Sequence, residues 1–421
     1  MISRVPDGDE YDEDVREREK HVKVLIADKF PESYICAMKD LGCDVTYEAG
    51  YGADDIAQHI GVFDVVIVRS TKVTANAIGA AKNLSLVIRA GAGTNNIDKE
   101  AASAVGVYVA NCPGTNSIAV AELAMGLICA LDRRLCDNVA DLRSSRWDKA
   151  EYSKADGLHG KVLGVIGAGK IGQELIKRAT SFGIEVKAWS RSLTPEKAAA
   201  MGVEYVGSIA ELVPRCDIIS VHLAATPETR GSVSKEVIAA MKPGAYFINT
   251  ARAEVVDEAA LCDAVKAGKI RVGTDVYSNE PEGKSGEFEN ELGKLDGVYG
   301  THHIGASTTQ AQNAVAAETV RILKVYAETG QVENWVNRET KTPATWQLVV
   351  RHYDKPGVLA AVLAQLKDNN VNAQEIQNLI FSGAQAACCT IQLDTRPSDD
   401  ALSKIRGLGG QVLHAELVEI Q

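Results

Sequence analysis

Residues 161–172 read KVLGVIGAGKIG, and the way this stretch folds decides the architecture of the chain around it. The apolar run VLGVI reads as a buried strand that stops at Gly167. Gly169 and Gly172 complete a G-x-G-x-x-G spacing, and a helix is predicted from Lys170, followed by Ile171, to about Phe182. In a strand-loop-helix unit the first glycine permits the turn, the second lets a pyrophosphate approach the backbone, and the third lets helix and strand pack closely. The open N–H groups and the dipole of the helix start then hold negative charge. The stretch predicts a Rossmann-type dinucleotide site.

The next strand supports that reading and qualifies it. VKAWSRS (186–192) ends in Ser190, 18 residues past Gly172, where an acid commonly receives the ribose hydroxyls. Serine removes a carboxylate that would repel a ribose phosphate, and Arg191 is placed to offer that phosphate a charged hydrogen bond. The cofactor is NAD or NADP, with Ser190 and Arg191 leaning towards NADP.

Outward from this loop the chain alternates short apolar runs with helical stretches. KVLIAD, DVTYEA, DVVIVRS and LSLVIRAGAG lie upstream; DIISVHL, GAYFINTA, VGTDVY and VYGTHHIG lie downstream. Repeated strand-helix alternation implies parallel sheets with crossover helices. Between the two series SIAVAELAMGLICALDRRLCDNVADLRSSRW (117–147) must form one or two long helices, apolar over a wide face that suits burial against another domain or subunit. After residue 338 a polar, proline-containing stretch, 339–345, reads as a linker. The remainder, 346–421, has the order βαββαβ of a ferredoxin-like module. The expected fold is therefore α/β, with two doubly wound parallel-sheet domains and a small C-terminal module.

Composition narrows the function classes. The chain has 421 residues, 46% hydrophobic and 24% charged, with a net charge of -11. No basic excess exists to neutralise phosphates, so nucleic acid is not the expected partner. Nine cysteines without a CxxC pair fit reduced thiols in a cytoplasmic setting better than a disulfide framework, and no metal site is expected. Residues 1–20 carry eight acids against four bases and read as a disordered arm. They lack the features of a secretory signal, and no later segment has the run of roughly 20 apolar residues that a membrane helix needs.

Three polar motifs fall at strand ends of the second series: NTARAEVVDEAAL with Arg252, DVYSNEP with Glu280, and THHIGAST with His303. Ligands bind at that edge of open parallel sheets. Arginine, glutamate and histidine there could bind a carboxylate, orient an imidazole and move a proton. Together with RAGAGTNNID, NCPGTNSIAVAELA and GVIGAGKIGQE, in this order, they make residues 22–335 resemble the D-isomer-specific 2-hydroxyacid dehydrogenase family.

That resemblance implies roles residue by residue. Arg252 would bind the substrate carboxylate and polarise the keto group; His303 would be the acid/base; Glu280 would hold its tautomer and raise its pKa. Asp275 would hold the nicotinamide carboxamide, with the backbone of Thr250 and Ala251 nearby. Arg89, Ala90 and Gly91 match a loop whose backbone grips the substrate carboxylate, and Asn116 lies near the same cleft. Arg69, Ser70 and Lys72, in VRSTKVT, would receive a substrate phosphate. The implied organisation is a discontinuous substrate domain (21–116 and 306–338) of flavodoxin-like form, a dinucleotide-binding domain (117–305), and an ACT-type regulatory domain (346–421). The helix from Ser117 resembles the one such enzymes use to dimerise, so a homodimer or homotetramer is implied.

VRSTKVT and the ACT-like module point within the family to oxidation of 3-phospho-D-glycerate to 3-phosphohydroxypyruvate for L-serine synthesis. An NADPH-dependent hydroxypyruvate or glyoxylate reductase, and a dinucleotide-sensing interaction protein, are the alternatives. In the module His352 and Asn372 match a serine-binding pattern, with Asp354 replacing an asparagine, so L-serine is the candidate effector. Ala253, Glu254 and His302 depart from the family's usual residues.

Overall fold

The structure is a computed structural model that describes residues 21–281 and 286–420. The acidic arm expected at 1–20 lies outside the described residues. The chain divides into two compact units, 1–337 and 338–421.

The first unit holds two parallel sheets. Strands β1 (Lys23–Ile26), β2 (Asp44–Tyr47), β3 (Val65–Val68), β4 (Leu86–Arg89) and β5 (Tyr108–Asn111) pair in the order β2-β1-β3-β4-β5. This is the flavodoxin-like order. The second sheet comprises β6 (Val162–Ile166), β7 (Glu185–Trp189), β8 (Glu204–Tyr205), β9 (Ile218–Val221), β10 (Ala245–Asn249), β11 (Ile270–Thr274) and β12 (Val298–Gly300). Its order, β12-β11-β10-β9-β6-β7-β8, reverses direction between β6 and β9, the switch point at which doubly wound sheets bind dinucleotides. β3 (VVIV) and β9 (IISV) are buried at every position, as expected where helices cover both faces of a sheet.

Two helices tie the sheets together. Ser117–Arg133 buries Ala121, Ala124, Ile128 and Leu131 in the core of the second sheet. It breaks at Arg134, whose φ of +51° reverses the helical path before Leu135–Arg143. Thr309–Thr329 returns to the first sheet, where Ile322 and Leu323 pack with Val24, Ile26 and Ile88. The chain thus crosses between sheets twice, near Cys112–Asn116 and just before Thr309.

The second unit is a four-stranded antiparallel sheet of β13 (Trp346–Tyr353), β14 (Ala373–Ile380), β15 (Ala386–Leu393) and β16 (Val412–Glu419), ordered β14-β15-β13-β16. With helices Val358–Asp368 and Asp399–Arg406 it is a ferredoxin-like βαββαβ module. Among the described residues no helix is long and apolar enough to cross a membrane.

Candidate active site

The glycine loop has the shape its spacing predicts. Gly167 sits at φ +103°, and a Cβ there would lie 2.6 Å from the carbonyl oxygen of His222. A Cβ on Gly172 would collide with the Gly167 carbonyl, while one on Gly169 would meet nothing within 4 Å. Space is therefore open at the one glycine a pyrophosphate must approach. Helix Lys170–Ser181 starts there without a side-chain cap, leaving its first N–H groups for an anion. At the ends of β9 and β10, His222 Nδ1 and Thr250 Oγ1 are buried without a partner among the described residues. These residues fit a dinucleotide. Lys170 spans to the other sheet, its Nζ donating to the Pro113 carbonyl at 3.1 Å. Ser190 is half-buried and Arg191 exposed. Glu228 is held below the usual carboxylate range first by the Thr226 hydroxyl and then by its own backbone N–H, with the Arg191 charge contributing.

β10, β11 and β12 deliver the polar trio. His303 Nδ1 lies 2.7 Å from Glu280 Oε2, and Glu280 Oε1 accepts from the Tyr277 N–H at 2.9 Å. Burial pushes the Glu280 carboxyl up, but the bonds from His303 and Tyr277 and the Arg252 charge outweigh it and hold the group below its ordinary value. His303 has φ +51°, a left-handed conformation that costs energy in a residue with a side chain.

The clamp that imposes this conformation is Asp275, which is 1% exposed. Its Oδ1 accepts from the Thr301 hydroxyl at 2.6 Å and the Ile304 N–H at 2.8 Å, and its Oδ2 from the Gly305 N–H at 2.8 Å. Three of its roughly four acceptor positions hold the histidine loop, which leaves one for the carboxamide expected of it.

These residues meet the first sheet in a cavity of about 780 Å³. Arg252, Glu280 and His303 line it together with Arg69, Ser70, Arg89, Ala90, Gly91 and Asn116. Arg252 reaches so close to Gly93 that a Cβ there would lie 2.6 Å from Nη2. Arg89 is the most constrained cation. Burial, then the charges of Arg252 and Arg69, push its guanidinium down to about 10, and its Nε has no partner. Three arginines converging on one cavity favour an anion with more than one charged group.

Asp28 shapes the phosphate-loop candidate. Its Oδ2 accepts from the N–H groups of Arg69, Ser70 and Thr71 at 2.7, 2.9 and 2.9 Å. That turn presents Arg69 and Ser70 to the cavity, whereas Lys72 is exposed and outside the lining. In the next loop the N–H groups of Ala90 and Gly91 donate to the Val68 and Arg89 carbonyls, while those of Ala92 and Gly93 have no hydrogen-bond partner among the described residues. Of the departures from the usual pattern, Ala253, Glu254 and His302 all line the cavity.

In the C-terminal unit His352 is 1% exposed. Its Nδ1 meets the Tyr353 carbonyl at 2.8 Å and its Nε2 meets Asn378 Oδ1 at 3.2 Å. Both ring nitrogens thus have partners within the unit. Asp354 and Asn372 are exposed.

An imidazole backed by a carboxylate, facing an arginine-lined cavity beside a dinucleotide loop, is the arrangement of nicotinamide-dependent hydroxyacid dehydrogenases. The chain belongs to the D-isomer specific 2-hydroxyacid dehydrogenase family, whose NAD binding domain matches residues 125–305. It is 38% identical over 367 residues to the D-3-phosphoglycerate dehydrogenase of Methanocaldococcus jannaschii, covering 87% of this chain and 68% of that one. It is 42% identical over 279 residues to the hydroxypyruvate reductase of Thermotoga maritima, covering 66% and 88%. The NAD+-bound 3-phosphoglycerate dehydrogenase structure of Entamoeba histolytica aligns with a TM-score of 0.63 at 27% identity, covering 76% of this chain and 99% of that chain. The chain spans about two thirds of the length of the first curated phosphoglycerate dehydrogenases it matches, 68% and 64%.

Proposed function

We propose that the protein oxidises 3-phospho-D-glycerate to 3-phosphohydroxypyruvate for L-serine synthesis. The observation that carries this reading is the convergence of Arg69, Arg89 and Arg252 on the cavity that also holds His303. A substrate with a carboxylate at one end and a phosphate at the other matches that charge. Arg252 and the N–H groups of Ala92 and Gly93 suit the carboxylate; Arg69 and Ser70 suit the phosphate.

A nicotinamide dinucleotide, when bound, accepts the hydride from C2. The ionised Glu280 holds the Nδ1–H of His303, which leaves Nε2 as the basic nitrogen that takes the hydroxyl proton. Arg252 steadies the developing carbonyl oxygen, and Asp275 keeps the histidine loop in place. At β7 the absence of an acid at Ser190, with Arg191 exposed beside it, supports use of NADP as well as NAD.

A second reading, an NADPH-dependent reductase of hydroxypyruvate or glyoxylate, is favoured by that strand end and by the likeness to the Thermotoga protein. Exposed Leu135, Val139, Leu142 and Trp147, after the long helix, support a homodimer or larger homo-oligomer. Nine free cysteines support a reducing, cytoplasmic setting. The test is a set of initial rates: 3-phosphoglycerate with NAD and with NADP, and hydroxypyruvate and glyoxylate with the two reduced forms. Turnover of hydroxypyruvate and glyoxylate with none on 3-phosphoglycerate would replace the first reading by the second.

A further inference from the structure

A second cavity, of about 220 Å³, lies at the far end of helix Ser117–Arg133 from Asn116. Asp132 lines it, is 3% exposed, and receives one hydrogen bond, from the Tyr246 hydroxyl at 3.3 Å. Among the described residues no cation lies within ion-pair distance of that carboxylate. A buried carboxylate without an ion-pair partner is costly, so Asp132 favours a positive group within hydrogen-bond reach.

The other charges around the cavity show what that group is attached to. Glu151 is taken up by Arg134 and Lys154, and Asp156 by Lys161. Arg133 and Arg271 also line the cavity, and neither has a carboxylate partner among the described residues; Arg271 gives one N–H to the Leu131 carbonyl at 3.1 Å. One acid and two arginines without ion-pair partners among the described residues thus line the same cavity. Among the described residues no three groups could hold a metal ion, so an inorganic cation lacks a donor set. A cavity of about 220 Å³ suits a small molecule.

We propose that this cavity binds a small α-amino acid as its zwitterion, the ammonium on Asp132 and the carboxylate between Arg133 and Arg271. The site is separate from the main cavity and lies within the first compact unit. Both charges of the ligand are needed, because either alone would leave one side of the site unpaired.

The test uses the purified full chain and L-alanine as probe, with ethylamine and propionate as single-charge controls, read by thermal melting and titration calorimetry. At about ten times its Kd, L-alanine is expected to raise the melting temperature by about 2–4 °C, with neither control doing so. Asp132→Asn and, separately, Arg133→Gln on the exposed rim are expected to abolish the shift while the variants still melt cooperatively. Absence of any shift in the unmodified protein, an equal shift with ethylamine, or a shift retained in both variants would overturn the proposal. Two variants are used so that a folding defect in one does not leave the question open.

Discussion

His303 stands 2.7 Å from Glu280 while its own backbone is held in a left-handed conformation by Asp275, whose hydrogen bonds go to Thr301, Ile304 and Gly305. The reactive imidazole is therefore oriented from two directions, its ring by Glu280 and its backbone by Asp275.

Replacing Glu280 by Gln keeps the size of the side chain but removes the charge that fixes the Nδ1–H tautomer. The expected loss in kcat is about 10²–10³, within the range typical of acid/base groups, with cofactor affinity changed little. The Glu280 carboxyl lies below its ordinary value. Its ionised form thus stabilises the fold fully above the unfolded carboxyl pKa of about 4.3, and this contribution is lost as pH falls through the lower folded value. Urea unfolding between about pH 5 and pH 3 should show a shallower slope for Glu280→Gln than for the unmodified protein. Identical slopes would remove the charged role assigned to Glu280.

Asp275→Asn tests the clamp. An amide has one acceptor oxygen and would set its own N–H groups against the donors of Thr301, Ile304 or Gly305. About 2–3 kcal/mol of stability should be lost, as for charge-assisted bonds to a buried group, and kcat should fall more than KM rises. A pure rise in KM for the cofactor, with the melting temperature unchanged, would leave Asp275 a carboxamide-binding role alone.

How much of this site could be read in the sequence depended on how local the cause was. The glycine loop and the Arg252, Glu280 and His303 motifs were legible because each role is carried by a short segment at a strand end. Asp28 was not, because its partners lie 41 to 43 residues away and nothing in KVLIAD marks the last residue as a loop anchor. The pairing of His352 with Asn378, 26 residues apart, was hidden for the same reason: only strand register brings them together. One or two helices were open over 117–147, and the position of the break at Arg134 was not legible, because no glycine or proline stands there and the Asp137 and Glu151 carboxylates that hold the arginine come from later turns.

Gly93 and Arg252 give a prediction in which space is the only variable. A methyl group at Gly93 would displace the end of a flexible side chain, not backbone. Gly93→Ala should therefore cost little stability, within about 0.5 kcal/mol, yet lower kcat/KM by roughly tenfold or more by moving Arg252. Unchanged kinetics would show that Arg252 acts from another position.

Arg69 and Arg191 separate substrate from coenzyme. Arg69→Ala should raise KM for 3-phosphoglycerate by about 10–100-fold, the equivalent of one lost charged hydrogen bond, and leave hydroxypyruvate nearly unaffected. Arg191→Ala should weaken NADP by a similar factor and NAD hardly at all. Equal effects on both substrates, or on both coenzymes, would remove the phosphate contact assigned to that arginine.

His222 offers a pH test that does not depend on turnover. Burial lowers its imidazole from 6.5 to about 4, and its Nε2 is paired with the Ser220 hydroxyl at 2.9 Å while Nδ1 has no partner. As pH falls below about 6.5 the unfolded chain takes up a proton that the folded chain refuses until about pH 4. Stability is therefore complete above that window and declines through it, because the unfolded state binds more protons. The loss should be on the order of 2 kcal/mol after allowance for the part of the ring that solvent reaches. His222→Asn cannot titrate, so its unfolding free energy should be flatter from pH 7 to pH 4, starting about 1 kcal/mol lower for the altered packing. The difference between the two curves isolates this one group from the carboxylates, which both proteins share. If the curves run parallel across the window, the ring is protonated in the folded state and the neutral, buried histidine beside the glycine loop is wrong.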